Sequence, residues 1–153
     1  MERTEKKLRL CVILLVLNVL FIWGNSLLPG SVSGAISGWV KDILASIFSF
    51  GSEDPEGGHG LLRKLAHFTE FACLGALFAW LYFMLRKPVW LASVCGFAVA
   101  CMDETIQRFV PDRGPSFRDV MIDTSGALLG IGILLLGYLI YKKKKQKILL
   151  EEE

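Results

Sequence analysis

Four apolar stretches, each long enough to cross a hydrocarbon core about 30 Å thick, leave this chain few folds to choose from. They run over Leu10–Leu28, Leu65–Leu85, Val89–Ile106 and Val120–Tyr141. Lipid offers no partner to a backbone N–H or C=O, so such blocks fold as helices that satisfy their own hydrogen bonds. The expected fold class is all-α, an integral membrane four-helix bundle formed by residues 1–153 as one domain, with no room for a separate soluble one. Hydrophobic residues make up 53% of the chain, which excludes an ordinary soluble domain.

Lysine and arginine set the orientation. The N-terminal side would hold eleven of them (Arg3, Lys6, Lys7, Arg9, Arg86, Lys87, Lys142 to Lys145 and Lys147) against six opposite (Lys41, Arg63, Lys64, Arg108, Arg113 and Arg118). That excess places both termini in the cytoplasm. The run at Lys142 abuts a span, so anionic lipid is its expected partner and nucleic acid is not. The charged start and apolar run at the N-terminus also fit a signal peptide, but no small-x-small cleavage site follows Trp23, and an uncleaved first span is the better reading. Cys11, Cys73, Cys95 and Cys101 fall inside spans in no metal-ligand spacing and read as small packing residues.

Between the first two spans lies a long outer loop. Ile36, Trp39, Val40, Ile43, Leu44, Ile47 and Phe48 repeat there at helical spacing, which predicts an amphipathic helix over about 35–49. It would lie in the headgroup layer or close over the other helices as a lid. Ser52 to Gly60, acidic and glycine-rich, is expected as a linker. Arg86-Lys87-Pro88 makes a tight inner turn, and Phe109 to Phe117 an outer one. Ala72 and Ala76, Ala92, Gly96 and Ala100, and Gly126 and Gly130 are small residues spaced by four, the pattern of close helix approach.

The apolar blocks contain residues that a bilayer rejects. Arg63, His67 and Glu70 form one stripe on the second span; Asp103 and Gln107 are one turn apart on the third with Glu104 beside them; Asp119 and Asp123 are one turn apart on the fourth. Because the second and fourth spans enter from the outer face and the third leaves towards it, Glu70, Glu104 and Asp123 all fall roughly 5–10 Å below that face at about 1.5 Å per residue. Ionisable groups at such depth mark a site with partners. Structural readings compete: Glu70 as a neutraliser of Arg63 or Lys64, Asp119 as a first-turn helix acid, and the adjacent Asp103 and Glu104, directed to different helix faces, as members of an arginine-compensated ion-pair network.

Gathered carboxylates suit general acid–base work or a divalent cation held by oxygens, and arginine forks at the rim suit phosphate or carboxylate. His67, Glu70, Asp103 and Glu104 are therefore the candidate catalytic groups. Arg63, Lys64, Gln107, Arg113, Ser116, Arg118, Asp119 and Asp123 are the candidate ligand contacts. Ser116 and Thr124 are possible nucleophiles by position alone.

The stretches Arg63-Lys64-Leu65-Ala66-His67-Phe68-Thr69-Glu70-Phe71, Asp103-Glu104-Thr105-Ile106-Gln107-Arg108-Phe109-Val110-Pro111-Asp112-Arg113 and Ser116-Phe117-Arg118-Asp119-Val120-Met121-Ile122-Asp123-Thr124-Ser125-Gly126 resemble the VanZ-like family of small bacterial membrane proteins, as does Asn25-Ser26-Leu27 after the first span. The resemblance covers roughly Val12 to Gly137. One departure is Asp123, where the family pattern usually has asparagine. The resemblance implies a bacterial cell-membrane location and a link to teicoplanin-type glycopeptide resistance, but no defined reaction.

Three expectations follow. The first is a membrane binding module whose outer-face pocket takes an anionic amphiphile, such as a lipid-linked cell-wall precursor, a lipid headgroup or a lipoglycopeptide. The second is a lipid-modifying hydrolase or transferase using Asp103 and Glu104, with or without a divalent cation as cofactor. The third is a structural or assembly protein whose polar network fixes helix register.

Overall fold

The computed structural model describes residues 2–35, 39, 57–114 and 116–151. Four helices carry the fold: α1 (Glu2–Ser26), α2 (Gly57–Met84), α3 (Trp90–Gln107) and α4 (Phe117–Glu151). A short helical stretch over 30–35 follows α1, and no strand occurs among the described residues. The fold is all-α. The amphipathic helix expected over 35–49 lies almost wholly outside the described residues.

Three segments are long and apolar enough to cross a membrane: Glu2–Ser26, Arg63–Met84 and Phe117–Ile148. Helix α3, with 18 residues, is about 27 Å long at a rise of about 1.5 Å per residue, and its last turns carry Asp103, Glu104 and Gln107. Large apolar side chains cover the outside of the bundle. Leu17, Leu20 and Phe21 on α1, Val94 on α3 and Ile133, Leu136 and Ile140 on α4 are each at least half exposed. An apolar surface this continuous would be an aggregation liability in water and matches a hydrocarbon surround.

Close backbone contact between α2 and α4 sets the packing, and this is the most extensive helix pair. A Cβ on Gly126 would collide with the Phe68 carbonyl, one on Gly130 with the Ala72 carbonyl, and one on Gly75 with the Ala127 carbonyl. The partners of Gly126 and Gly130 advance in step along both helices, so α2 and α4 run parallel. On α3, Gly96 meets the Ala127 methyl while Glu104 reaches Ser116, so α3 runs antiparallel to α4. Helix α1 packs on α2 and α3. The end of α1, the start of α2, the end of α3 and the start of α4 thereby meet at one end of the bundle. Ile22, Phe71, Leu74, Ala100 and Val120 form a buried cluster that draws on all four helices and lies within about a turn of Ser26, Glu70, Asp103 and Asp123. A second cluster of Ala79, Ala92 and Ile131 fills the opposite end.

At that opposite end the Arg86-Lys87-Pro88 turn is a helix-terminating motif. Lys87 N–H donates to the Tyr82 carbonyl at 2.9 Å and Arg86 N–H to that of Phe83 at 3.2 Å, with Arg86 in the left-handed region at φ 54°. The linker expected over Ser52 to Gly60 requires correction, because α2 already begins at Gly57; residues 52–56 lie outside those described. Once a helix is nucleated, each added residue gains a hydrogen bond, which offsets the roughly 1 kcal/mol penalty of a helical glycine. The four cysteines are free thiols.

Gly130→Val and Gly75→Val should each destabilise the fold by about 1–3 kcal/mol or more through overpacking. Gly132→Ala and Gly137→Ala, where a Cβ meets nothing within 4 Å, should be neutral or slightly stabilising. Thermal unfolding of detergent-solubilised protein checks the contrast.

Candidate functional site

Helix α3 builds the floor of the site with a single stripe. Its buried residues are Ala92, Gly96, Ala100, Asp103, Glu104 and Gln107, which recur at helical period along one face. The small residues admit the neighbouring helices, and the same face turns polar in its last two turns. Asp103 and Glu104 are both buried, and, as adjacent residues directed to different faces, their side chains diverge to different neighbours.

Asp103 turns to α1. Its Oδ2 accepts hydrogen bonds from Ser26 Oγ at 2.8 Å and from Gln107 Nε2 at 2.8 Å, and Gln107 Nε2 lies a further 3.2 Å from Ser26 Oγ. Glu104 turns to α4. Its Oε2 accepts the backbone N–H of Ser116 at 2.8 Å, and the Ser116 carbonyl in turn accepts from Asp119 and Val120. Glu104 therefore secures the start of α4, where a carboxylate suits the positive end of the helix. Ser116 contributes its backbone to this contact.

The end of α1 supplies two more links. Asn25 Nδ2 donates to Glu70 Oε1 at 2.9 Å, and the Asn25 carbonyl accepts from Arg113 Nη2 at 3.1 Å. Gly30 N–H donates to the Pro111 carbonyl at 3.2 Å, and a Cβ at Gly30 would strike the Asp112 carbonyl, so the connection after α1 and the one between α3 and α4 are stitched together. Lys64 and Asp119 pair at 3.5 Å across the starts of α2 and α4. His67 Nδ1 stands 3.6 Å from Glu70 Oε2, too far for a hydrogen bond.

Three spaces open among these groups, one of them of about 230 Å³ between α3 and α4, lined by Glu104, Thr105, Arg108, Ser116, Phe117 and Val120. A cleft of about 240 Å³ is lined by Phe21, Asn25, Leu28, Ser33, Arg63, Ala66, His67, Glu70 and Arg113. A much smaller space of about 20 Å³ is lined by Arg63, Lys64, His67, Glu104, Gln107, Asp119, Ile122 and Asp123. Arg63 and His67 border these last two. In the larger cleft, Arg113 Nε and Nη1 are buried without a hydrogen-bond partner. Burial first, and then the nearby Arg63 charge, pull the Arg113 guanidinium below its usual range. It stays charged at neutral pH regardless, so it carries an unmet demand for an anion.

Eleven of the twelve expected site residues converge here. Arg118 is the exception: it is exposed and lines none of the three spaces. The arginine-compensated network also requires correction. Among the described residues, no arginine salt bridge reaches Asp103, Glu104 or Asp123. Neutral donors hold the interior: Ser26 and Gln107 reach Asp103, a backbone N–H reaches Glu104 and Asn25 reaches Glu70, none of them bringing a strongly hydrated charge into the bundle. Glu70 accordingly meets Asn25 and His67, and neither Arg63 nor Lys64. Asp119 sits in the first turn of α4, as its structural reading expected, and also pairs with Lys64. Asn25 and Ser26 are site residues that the sequence reading noted only as the entry to a loop. Their signal was a polar pair closing an apolar span at the depth of the carboxylates.

Ser26→Ala should cost about 1–3 kcal/mol, since it strips a donor from a fully buried carboxylate. Thr69→Ala and Thr105→Ala, exposed residues that bond only to their own helix, should stay within about 0.5 kcal/mol of wild type. Unfolding in detergent compares the three.

Comparison with known proteins agrees with this architecture. Residues 10–141 match the model of the family described as VanZ/LLP1. A rhomboid protease GlpG from Photorhabdus laumondii subsp. laumondii is 39% identical over 72 residues, which cover 45% of this chain and 26% of that protein. The chain thus spans about a quarter of the length of that curated relative, and no solved structure matches it. The family match reaches into all four helices and takes in the whole polar cluster, and the chain belongs to the VanZ/LLP1 family.

Proposed function

We propose that this protein is a multi-pass bacterial membrane protein that binds the anionic head of an amphiphile in the cleft between α1 and α2. The observation that carries the reading is Arg113, which lines the cleft and has two buried nitrogens without a hydrogen-bond partner while its third, Nη2, is anchored on the Asn25 carbonyl. A guanidinium fixed in this way presents the fork that phosphate or carboxylate accepts. Arg63 adds a second positive charge on the same wall. Phe21, Leu28 and Ala66 form the apolar remainder, and Phe21 is 58% exposed, so the cleft runs on into the lipid-facing surface. A charged head beside an apolar groove fits a lipid headgroup, a lipid-linked cell-wall precursor or a lipoglycopeptide. The reading adopts four crossings with both termini cytoplasmic and the polar end outside, as the lysine and arginine distribution favours. It also makes the teicoplanin link of the family resemblance a matter of ligand capture.

The enzymatic reading keeps one specific support, the unpartnered Oδ1 of Asp103 beside His67 and Asp123. Purified protein incubated with bacterial lipid extract, or with teicoplanin, and analysed by mass spectrometry separates the two. Binding predicts an unchanged anionic species retained by wild type and reduced at least tenfold by Arg113→Ala, the loss of one charge-assisted bidentate contact. Retention unaffected by Arg113→Ala would overturn the assignment. A product of shifted mass, absent with Asp103→Asn, would make the protein an enzyme.

A further inference from the structure

At the centre of the polar cluster the donor atoms of His67, Asp103 and Asp123 lie within 4.8 Å of one another. Three helices supply them: α2, α3 and α4. Asp103 is completely buried and Asp123 is 3% exposed. The orientation of Asp103 is specific. Ser26 and Gln107 both donate to Oδ2, and Oδ1 is left buried without a partner. An isolated carboxylate oxygen in a protein interior is costly, and two neutral donors fixing its sister oxygen are the outer shell expected of a metal ligand. His67 shows a similar arrangement. Glu70 Oε2 faces its Nδ1 at 3.6 Å, and both atoms lack a hydrogen bond. With Nε2 turned to an ion, the Nδ1 proton is left for that carboxylate, the pairing that fixes the tautomer of metal-bound histidines.

A space of about 20 Å³, enough for one water-sized occupant, adjoins His67 and Asp123; Arg63 and Lys64 also line it, and Asp103 does not.

We infer that His67, Asp103 and Asp123 form a binding site for one divalent first-row transition metal ion of the Zn²⁺ or Mn²⁺ type. One imidazole and two carboxylates suit those ions better than Mg²⁺ or Ca²⁺, which favour all-oxygen shells, or Cu⁺, which favours sulfur. The inference stands on the cluster alone and goes beyond the anion-binding reading, which rests on Arg113 in the neighbouring cleft.

The test uses the full chain in detergent, stripped with a chelator and titrated with Zn²⁺, Mn²⁺ and Co²⁺. Wild type should retain one equivalent of Zn²⁺ or Mn²⁺ after desalting. Its unfolding temperature should rise with added metal and fall back with chelator. Asp123→Asn and His67→Ala should each weaken binding at least tenfold, and Gln107→Leu, acting through Asp103, should weaken it less. Should a variant fail to fold, the Co²⁺ spectrum of wild type decides, with d–d bands and no thiolate charge-transfer band expected. No retained equivalent, a thiolate band, or binding undiminished in a folded Asp123→Asn would each overturn the proposal. Because no anionic ligand is present in the titration, its result is independent of whether Arg113 binds one.

Discussion

The glycine-mediated contact between α2 and α4 is the constraint on which the rest of the site depends. With Gly126 against Phe68 and Gly130 against Ala72, two backbones touch in parallel and their relative register is fixed. Asp123 then sits within one turn of Gly126 at the level of His67, and Asp119 comes within reach of Lys64. A side chain larger than hydrogen at those glycines would push the helices apart, and the carboxylates would lose their common depth before any polar bond was changed. In lipid, where apolar side chains gain little from leaving the solvent, such close packing is the main source of helix association. The chemistry of the polar end is therefore positioned by the least polar contact in the molecule.

Polar contacts then act on a geometry that already exists. At the polar end of the bundle α1 and α3 are joined through Ser26, Asp103 and Gln107, and α1 and α2 through Asn25 and Glu70. Glu104 ties the end of α3 to the start of α4. Each link uses a neutral donor on a carboxylate. Had arginines made these links, their guanidinium groups would have been consumed as structural counter-ions. Instead Arg63 and Arg113 border a cleft, and two N–H groups of Arg113 have no protein partner.

Much of this was legible in the sequence, for reasons that differ by residue. Apolar blocks of bilayer length dictate helices, and three of the four segments satisfy that criterion in the structure; α3, whose last turns carry the acids, is not among them. The shared depth of Glu70, Glu104 and Asp123 follows from counting residues along alternating helices, and they do lie at one end of the bundle. Rotation about each helix was harder to foresee. Adjacent residues point about 100° apart, so the divergence of Asp103 and Glu104 was legible, but which neighbour each would meet was not. Hydrogen-bond partners between helices were invisible, since a neutral Asn25 or Ser26 at a span end carries no signal of its target 45 or 77 residues away. The same holds for Gly75, which lies outside the small-residue pairs yet meets Ala127 directly.

Arg63 and His67 connect the two halves of the site, because both line the larger cleft and the smaller acidic space. An anion resting on Arg113 and Arg63 would lie next to a cation held by His67, Asp103 and Asp123. Each would lower the electrostatic cost of the other in a medium where charges are weakly screened. Such reciprocity would be a coupling free energy, with the metal tightening the anion by the same factor as the anion tightens the metal. Asp123 is central to this balance. An asparagine at that position would leave the acidic space one negative charge poorer, weakening its hold on a dication while sparing the arginine cleft. On this reasoning the aspartate in this chain would bear on the cation side of the site, and Arg113 on the anion side.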